Sequence, residues 1–463
     1  LYVPSCGRLC SIRMIEVDAV VVGGGFSGAA VAAQLARRTG SSFSLALFEP
    51  GELGRGAAYG TRHDEHVLNT QAGTMSLFPG DPDHFVRWLG FGADPRAFVS
   101  RRVYGTYVNE IARQAFERPR FTHVADRVRR VERRGRGEFV VESGIGTRFV
   151  ARSVVLATGN PAPNGGFLPR EIRLHPGYID DPWRCDYRRV GGHVLVIGSG
   201  LTALDALLAL DACGHRGVVH VLSRRGRFPN VHAGVAPFDV IPALDARDAR
   251  ALLRSFRLHV RKAAQRGFDW RSVVDAIRPE GEAIWRRLSP DERLRFERHL
   301  RSHWERHRHR APQEVDAVRR RYHDANRLFV HAGTIDEVQR AAVTIALRDG
   351  GRLKVRPDWI VNCTGVGGAG AMRKDPMLAG MFADGLISAA PGNLGLLTTS
   401  GLSAVGAANE PVDGLWIVGP PVRGSRFEAT AVPELRVMAD LVAREIARAS
   451  SLGLFQSSLG TYS

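Results

Sequence analysis

The amino-acid sequence predicts an α/β protein: two units in which parallel strands alternate with helices, and a helical segment inserted late in the second. Three observations carry this. Residues 18–49 read as strand, glycine-rich turn, helix, strand, and residues 193–225 repeat that order. Between 246 and 330 the composition shifts to Arg, His, Trp and Leu with helical periodicity.

In the first unit the apolar run 19–22 leads into Gly23, Gly24, Gly25, Phe26, Ser27 and Gly28, and an Ala-rich helix follows. The spacing Gly23-x-Gly25-x-x-Gly28 meets each demand of a dinucleotide turn. Gly23 permits the sharp strand-to-helix turn, Gly25 lets backbone approach a pyrophosphate, and Gly28 lets helix pack on strand. Free N–H groups and the positive dipole end at the helix start, around Ser27, then face the phosphates. The next strand, 44–48, ends in Glu49, whose carboxylate suits both ribose hydroxyls of an adenosine. Its charge opposes a 2′-phosphate, which favours FAD or NAD over NADP at this turn.

The second unit has Gly198, Gly200 and Ala203 in the three positions. Alanine in the third still permits close packing. The following strand ends in Ser223, Arg224 and Arg225, where an acid would mark NAD. Two guanidiniums suit the 2′-phosphate of NADPH, although solvated arginines are common in this chain and that simpler reading stays open. Two such units imply two nucleotides, a flavin in the first and a hydride donor, NADPH or NADH, in the second. Together they make two Rossmann-like dinucleotide-binding domains.

Composition narrows the class further. A chain of 463 residues with 44% hydrophobic and 24% charged side chains buries a large core and is not disordered. No window reaches the roughly 18 uninterrupted apolar residues of a membrane span. The first residues lack the charged-then-apolar design of a signal peptide. Met14 precedes the first apolar run, so 1–13 read as a disordered upstream extension, and a cytoplasmic location is expected. The five cysteines form no CxxC pair, which argues against disulfide-reductase chemistry and against zinc. The net charge of +17 is spread along the chain as arginine, not gathered in a stripe. Nucleic acid is therefore not the expected partner; anionic dinucleotides and a small anionic substrate account for the charge as well. An RNA-binding or RNA-modifying flavoprotein, and a sensor without turnover, remain as readings of other classes.

Further segments carry a resemblance. After Glu49 come GlyArgGlyAlaAlaTyrGly (54–60), HisValLeuAsnThr (66–70), Met75 and Ser76, AspProAspHisPheValArgTrpLeu (81–89) and ArgArgValTyrGlyThrTyr (101–107). ValValLeuAlaThrGlyAsn (154–160) has an echo in ValAsnCysThrGly (361–365). GlyLeuTrpIleValGly (414–419) precedes PheGluAlaThrAlaValProGluLeuArg (427–436), which opens a helix. In these motifs the chain resembles the two-dinucleotide-domain flavoproteins, which include N-hydroxylating and Baeyer–Villiger monooxygenases. It is more closely similar to a bacterial FAD/NAD(P)-binding subfamily among them. The resemblance implies that Tyr59, Asn69 and Met75 lie near the flavin ring and that Thr158 and Gly159 mark the exit from the FAD domain. It also implies that Gly419 and the backbone around Thr430 face the flavin. Where many relatives have an Asp after that glycine, this chain has Pro420.

The expected domains are an FAD domain of 14–160 and 361–450, an NAD(P)H domain of 161–245 and 331–360, and a helical insertion of 246–330. His303, His307 and His309 in the insertion alternate with arginines and lack carboxylates at ligand spacing, so no metal site is expected. The insertion reads either as an amphipathic bundle with a solvated basic face or as a cap over the active site. The activity the resemblance implies is NAD(P)H-dependent hydroxylation of a small, polar, anionic substrate by dioxygen through a C4a-hydroperoxyflavin. Bacterial FAD-dependent urate hydroxylases point to urate and 5-hydroxyisourate, with N-hydroxylation of an amine or amino acid as the alternative. No catalytic side chain is assigned.

Overall fold

The computed structural model describes residues 14–451 apart from 136, 162–164, 241–243 and 340. Residues 1–13, read above as an extension, lie outside the described residues. The first sheet uses β1 (Met14–Val22), β2 (Leu45–Phe48), β3 (Phe121–Val124), β4 (Val128–Arg134), β5 (Glu138–Ser143) and β6 (Arg148–Leu156). The second uses β7 (Tyr178–Ile179), β8 (Val194–Ile197), β9 (Val219–Ser223), β10 (Leu328–Gln339), β11 (Ala342–Leu347), β12 (Arg352–Val355) and β13 (Trp359–Asn362). The chain then returns to the first sheet with β14 (Ser403–Val405) and β15 (Pro411–Ile417).

In the first sheet β3, β2, β1, β6 and β15 run parallel in that order, with β14 antiparallel at the edge. The early part of β6 pairs with β5 and its end pairs with β15. In the second sheet β7, β13, β8, β9 and β10 are parallel, followed by the antiparallel β11 and β12. The central strands are unbroken apolar runs because helices cover both faces, so no polar alternation survives. Ala19–Val22, Leu45–Phe48 and Val194–Ile197 are all buried.

Each glycine turn feeds a helix: α1 (Phe26–Arg38), followed later in the unit by α2 (Arg101–Ala115), and α3 (Leu201–Ala212). Residues 26–35 of α1 are buried, because α2 packs on one side and the long C-terminal helix on the other. Four helices follow β9: α4 (Ala249–Gln265), α5 (Trp270–Ile277), α6 (Gly281–Arg287) and α7 (Pro290–His299). They continue into α8 (Arg301–Arg308) and α9 (Gln313–Asp324); α10 (Val432–Ser451) is the last helix among the described residues. Local chemistry starts several of these. The Asp248 carboxylate accepts from Ala251 N–H, Asp269 from Arg271 N–H, and Ser289 from Glu292 N–H with Pro290 in the first helical position.

Two boundaries differ from the sequence expectation. Val361 and Asn362, placed above in the FAD domain, form the end of β13 in the middle of the second sheet. The reason is that ValAsnCysThrGly ends a strand of the second unit and not the first. Helix α9, counted above with the insertion, packs on α3 and serves as the crossover helix entering β10. Helices α4–α8 share a core of their own built on Leu252, Val273, Ile277, Trp285 and Leu288. No helix among the described residues is long and apolar enough to cross a membrane.

The two sheets are joined through Asp205 of α3. Its carboxylate accepts from Arg101 Nη2 at the start of α2 and from Trp183 Nε1, each at 3.1 Å. His66, fully buried, donates from Nε2 to the Asp205 carbonyl at 3.0 Å while Nδ1 takes the Thr61 hydroxyl. Burial lowers the His66 pKa and so favours the neutral ring that this arrangement needs. Replacing one partner of a buried pair leaves the other charge stranded, so Asp205→Ala is expected to cost about 3 kcal/mol. Urea unfolding checks it, and a wild-type midpoint would show that this linkage contributes nothing.

Candidate cofactor and substrate site

The two glycine turns have the same construction. Gly23 has φ +99°, and a Cβ there would overlap the carbonyl of Ala157, at the end of β6. Gly198 has φ +114°, and a Cβ would overlap the carbonyl of Cys363, at the end of β13. Only glycine takes this backbone conformation with a neighbouring strand so close. A Cβ at Gly28 would in turn strike the Gly23 carbonyl, which ties the helix to its own turn.

Both helix starts are open. Gly25 caps α1 and Gly200 caps α3, neither with a side-chain hydrogen bond, so the first N–H groups of each helix point outward unpaired. Nothing lies within 4 Å of a Cβ at Gly200, and at Gly25 only the backbone of Gly56 does. That cradle fits a pyrophosphate at each helix start. Ser27 is buried and sits beneath Gly419, whose φ is +86°. Glu49 accepts from Gly24 N–H at 2.9 Å and Gly51 N–H at 3.0 Å, which fixes its carboxylate beside the first turn with acceptor capacity to spare. In the second unit Ala203 is buried as close packing requires. Ser199 Oγ donates within reach of Ser223 Oγ and the Arg227 carbonyl, both at 2.8 Å. Arg224 is exposed and Arg225 half-buried just beyond.

The residues assigned by resemblance fall in different settings. Tyr59 is buried in an aromatic cluster, its ring 4.8 Å from Tyr104 and 6.3 Å from Phe26. Burial pushes its phenol up to about 12. Met75 is 2% exposed, and its carbonyl accepts from the Tyr104 hydroxyl at 2.9 Å. These two side chains therefore lie in the core beside α1. Asn69 reaches across the chain instead, its carbonyl accepting from His232 Nε2 at 3.0 Å. Thr158 and Gly159, φ +71°, leave β6 half-exposed beside the first turn. Thr430 is exposed on the approach to α10.

Thr430 lines a cleft closed on its far side by the insertion, with Phe296, Arg301, Trp304, Arg423, Phe427 and Glu428 around it. The insertion docks here in three ways. Trp285 and Trp304 pack on Phe427 at 5.2 and 5.7 Å. Arg308 pairs with Glu428 at 2.8 Å, both nearly buried, and Arg278 binds Glu434 through two contacts of 2.9 and 3.0 Å. Glu282 accepts from Phe427 N–H at 3.2 Å. The Arg308 guanidinium and neighbouring cations hold the Glu428 carboxyl below the usual range although burial opposes them. Arg301 is neutralised by Glu297 and Glu305. The Arg423 guanidinium, beside them, makes no hydrogen bond to any described residue, and burial lowers its pKa. The segment PheGluAlaThr points to Thr430 but not to Arg308, Trp304 or Arg423. Their partners lie more than a hundred residues away in an arginine-rich stretch that offers no single signal.

Comparison with known proteins agrees with the fold. Residues 20–161 match a family described as FAD-NAD(P)-binding. Over 120 residues the chain is 33% identical to ferredoxin–NADP reductase 2 of Cupriavidus necator, a match covering 25% of this chain and 31% of that protein. The chain thus matches less than a third of the length of these curated relatives. Solved structures align far more widely. Ornithine hydroxylase from Pseudomonas aeruginosa gives a TM-score of 0.59 at 14% identity, over 94% of this chain and 99% of that one. Ornithine N-hydroxylase from Kutzneria sp. 744 gives 0.58 at 16% over 94% and 100%, and a bacillithiol disulfide reductase from Bacillus cereus 0.53 at 16% over 94% and 99%. The chain has the two-domain FAD/NAD(P) flavoprotein fold.

His232 offers a test of the seam between the two units. Burial and then the Arg310 charge push its imidazole down to about 4. With its folded pKa depressed, its stabilising contribution is full above pH about 6.5 and is lost as pH falls towards 4. A histidine NMR titration should find no protonation of this ring above pH about 5. A midpoint near 6.5 would show that the ring is not buried beside Arg310 at this seam.

Proposed function

We propose that this chain is an FAD-dependent, NADPH-consuming monooxygenase acting on a small polar substrate. The single observation that carries the proposal is the combination of two open glycine turns with a lidded cleft at the start of α10. Bound FAD supplies electron transfer from NADPH to dioxygen. The first turn of α1 holds its pyrophosphate, and Glu49 accepts from the ribose hydroxyls while keeping its contact with Gly24. The start of α3 holds the pyrophosphate of NADPH, with Arg224 and Arg225 towards the 2′-phosphate. Backbone N–H groups at the start of α10 would serve as donors to the bound flavin and would favour its anionic reduced form. Trp285, Trp304 and Phe427 exclude water from the cleft, which strengthens each polar contact inside it.

Arg423 is the guanidinium of this cleft left without a hydrogen bond, and it suits an anionic substrate. Urate, converted to 5-hydroxyisourate, is the first substrate to test. Glu297, Glu305 and Glu428 line the same cleft, and this mixed charge favours a second reading: N-hydroxylation of an amine or amino acid. The ornithine hydroxylases among the structural neighbours support that choice of test compound.

NADPH consumption in air by the FAD-loaded protein distinguishes them. Stimulation by urate, coupled to product and not to hydrogen peroxide, supports the first; a hydroxylamine from L-ornithine or another amine supports the second. A slow rate indifferent to every ligand removes the monooxygenase reading. Arg423→Ala is expected to raise KM about tenfold with a smaller change in kcat, as loss of one charge-assisted contact to substrate requires. Gly28→Val is expected to yield protein without flavin absorbance after purification, since the added side chain displaces the Gly23 carbonyl.

A further inference from the structure

Beyond β9 the chain crosses a strongly cationic junction with the insertion. The loop after Ser223 is held on two sides. Ser199 of the second glycine turn donates to the Arg227 carbonyl, and α8 takes the other side, Arg306 Nε donating to the Phe228 carbonyl at 3.0 Å. Asn230 N–H donates back to the Arg306 carbonyl at 2.9 Å. His303 lies one turn before Arg306 on the same helix; His307 donates from Nδ1 to the His303 carbonyl at 2.7 Å, and its ring packs on Trp270. These contacts set His303 against the loop that carries Arg225 and Arg227.

The charges acting most strongly on His303 are Arg225, Arg227, His307 and Arg257 of α4, all cationic, and they add to burial in lowering its pKa. Among the described residues none of Arg225, Arg227 and Arg257 forms an ion pair. One terminal nitrogen of Arg225 is buried without a hydrogen-bond partner. Like charges brought together by packing, with a donor left unused, need an anion to offset them.

We propose that α8 of the insertion, through His303, completes a seat for the ribose 2′-phosphate of NADPH together with Arg225 and Arg227, with Arg257 adding its charge from α4. This rests on the reading of the second glycine turn as the NADPH site and goes beyond it: the insertion selects the dinucleotide as well as covering the cleft. A phosphate monoester bound there bridges the β9 loop and the insertion, so cofactor choice and lid position share one contact.

Calorimetric titration of the FAD-loaded protein with 2′,5′-ADP (adenosine 2′,5′-bisphosphate) and with 5′-AMP separates the contributions, because the probes differ only in the 2′-phosphate. The wild type is expected to prefer 2′,5′-ADP at least about tenfold, and Arg225→Gln to lose most of that preference. His303→Gln and Arg257→Gln are each expected to reduce it about three- to fivefold while leaving 5′-AMP binding unchanged, and His303→Glu to reduce it further. Flavin content and circular dichroism of each variant guard against misfolding, and the two Gln variants carry the test where His303→Glu does not fold. If the insertion variants keep the wild-type preference while Arg225→Gln loses it, the seat belongs to the β9 loop alone and the proposal is overturned. If the wild type has no preference, the NADPH reading fails and takes the proposal with it. If inorganic phosphate weakens both probes equally, the junction is a general anion patch, which also overturns it.

Discussion

At both nucleotide turns a glycine lies against the carbonyl that ends a neighbouring parallel strand: Gly23 against Ala157 and Gly198 against Cys363. The left-handed backbone at each glycine brings the chain out of the strand and straight into a helix, so the helix starts directly above the sheet's edge. Everything that faces a ligand is placed from these two points. The open N–H groups of α1 and α3, the carboxylate of Glu49 and the half-exposed turn at Thr158–Gly159 all sit within a few residues of them. Both carbonyls belong to an AlaThrGly or CysThrGly segment with glycine at positive φ, so the two units share a solution and not only a motif.

The second organising feature is the insertion's grip on residues 427–434. Burying Arg308 and Glu428 together costs desolvation of two charges, and their attraction roughly offsets it. The net hold comes instead from Trp285 and Trp304 around Phe427, which remove aromatic surface from water. The ion pairs fix register more than they add stability. The arrangement ties the insertion to the segment that leads into α10, the helix packed along α1.

The sequence was legible where function depends on backbone. Gly23, Gly25, Gly28, Gly198, Gly200 and Ala203 occupy the turns their spacing implies, because the steric demand is local and leaves little choice of residue. The helices of the insertion were legible from periodicity, while their starts at Asp248, Asp269 and Ser289 emerged only with the structure. The domain edge at Val361 was misread because a strand followed by ThrGly looks alike in either unit, and only pairing with β8 and β7 assigns it. Tyr59 and Met75 carry no local mark that separates a buried ring cluster from a ligand-lining position.

By itself the sequence determined the class: two dinucleotide turns on two parallel sheets, one interrupted by the other, with a helical segment between β9 and β10. Turn chemistry and strand hydrophobicity act over a few residues, so a linear text contains them. Which cations face one another was decided only by the tertiary structure. Arg308 meeting Glu428, Arg101 meeting Asp205 and His303 brought to Arg225 all join residues far apart in the chain. In a sequence so rich in arginine, charge alone does not name a partner; distance does, and distance is set by packing.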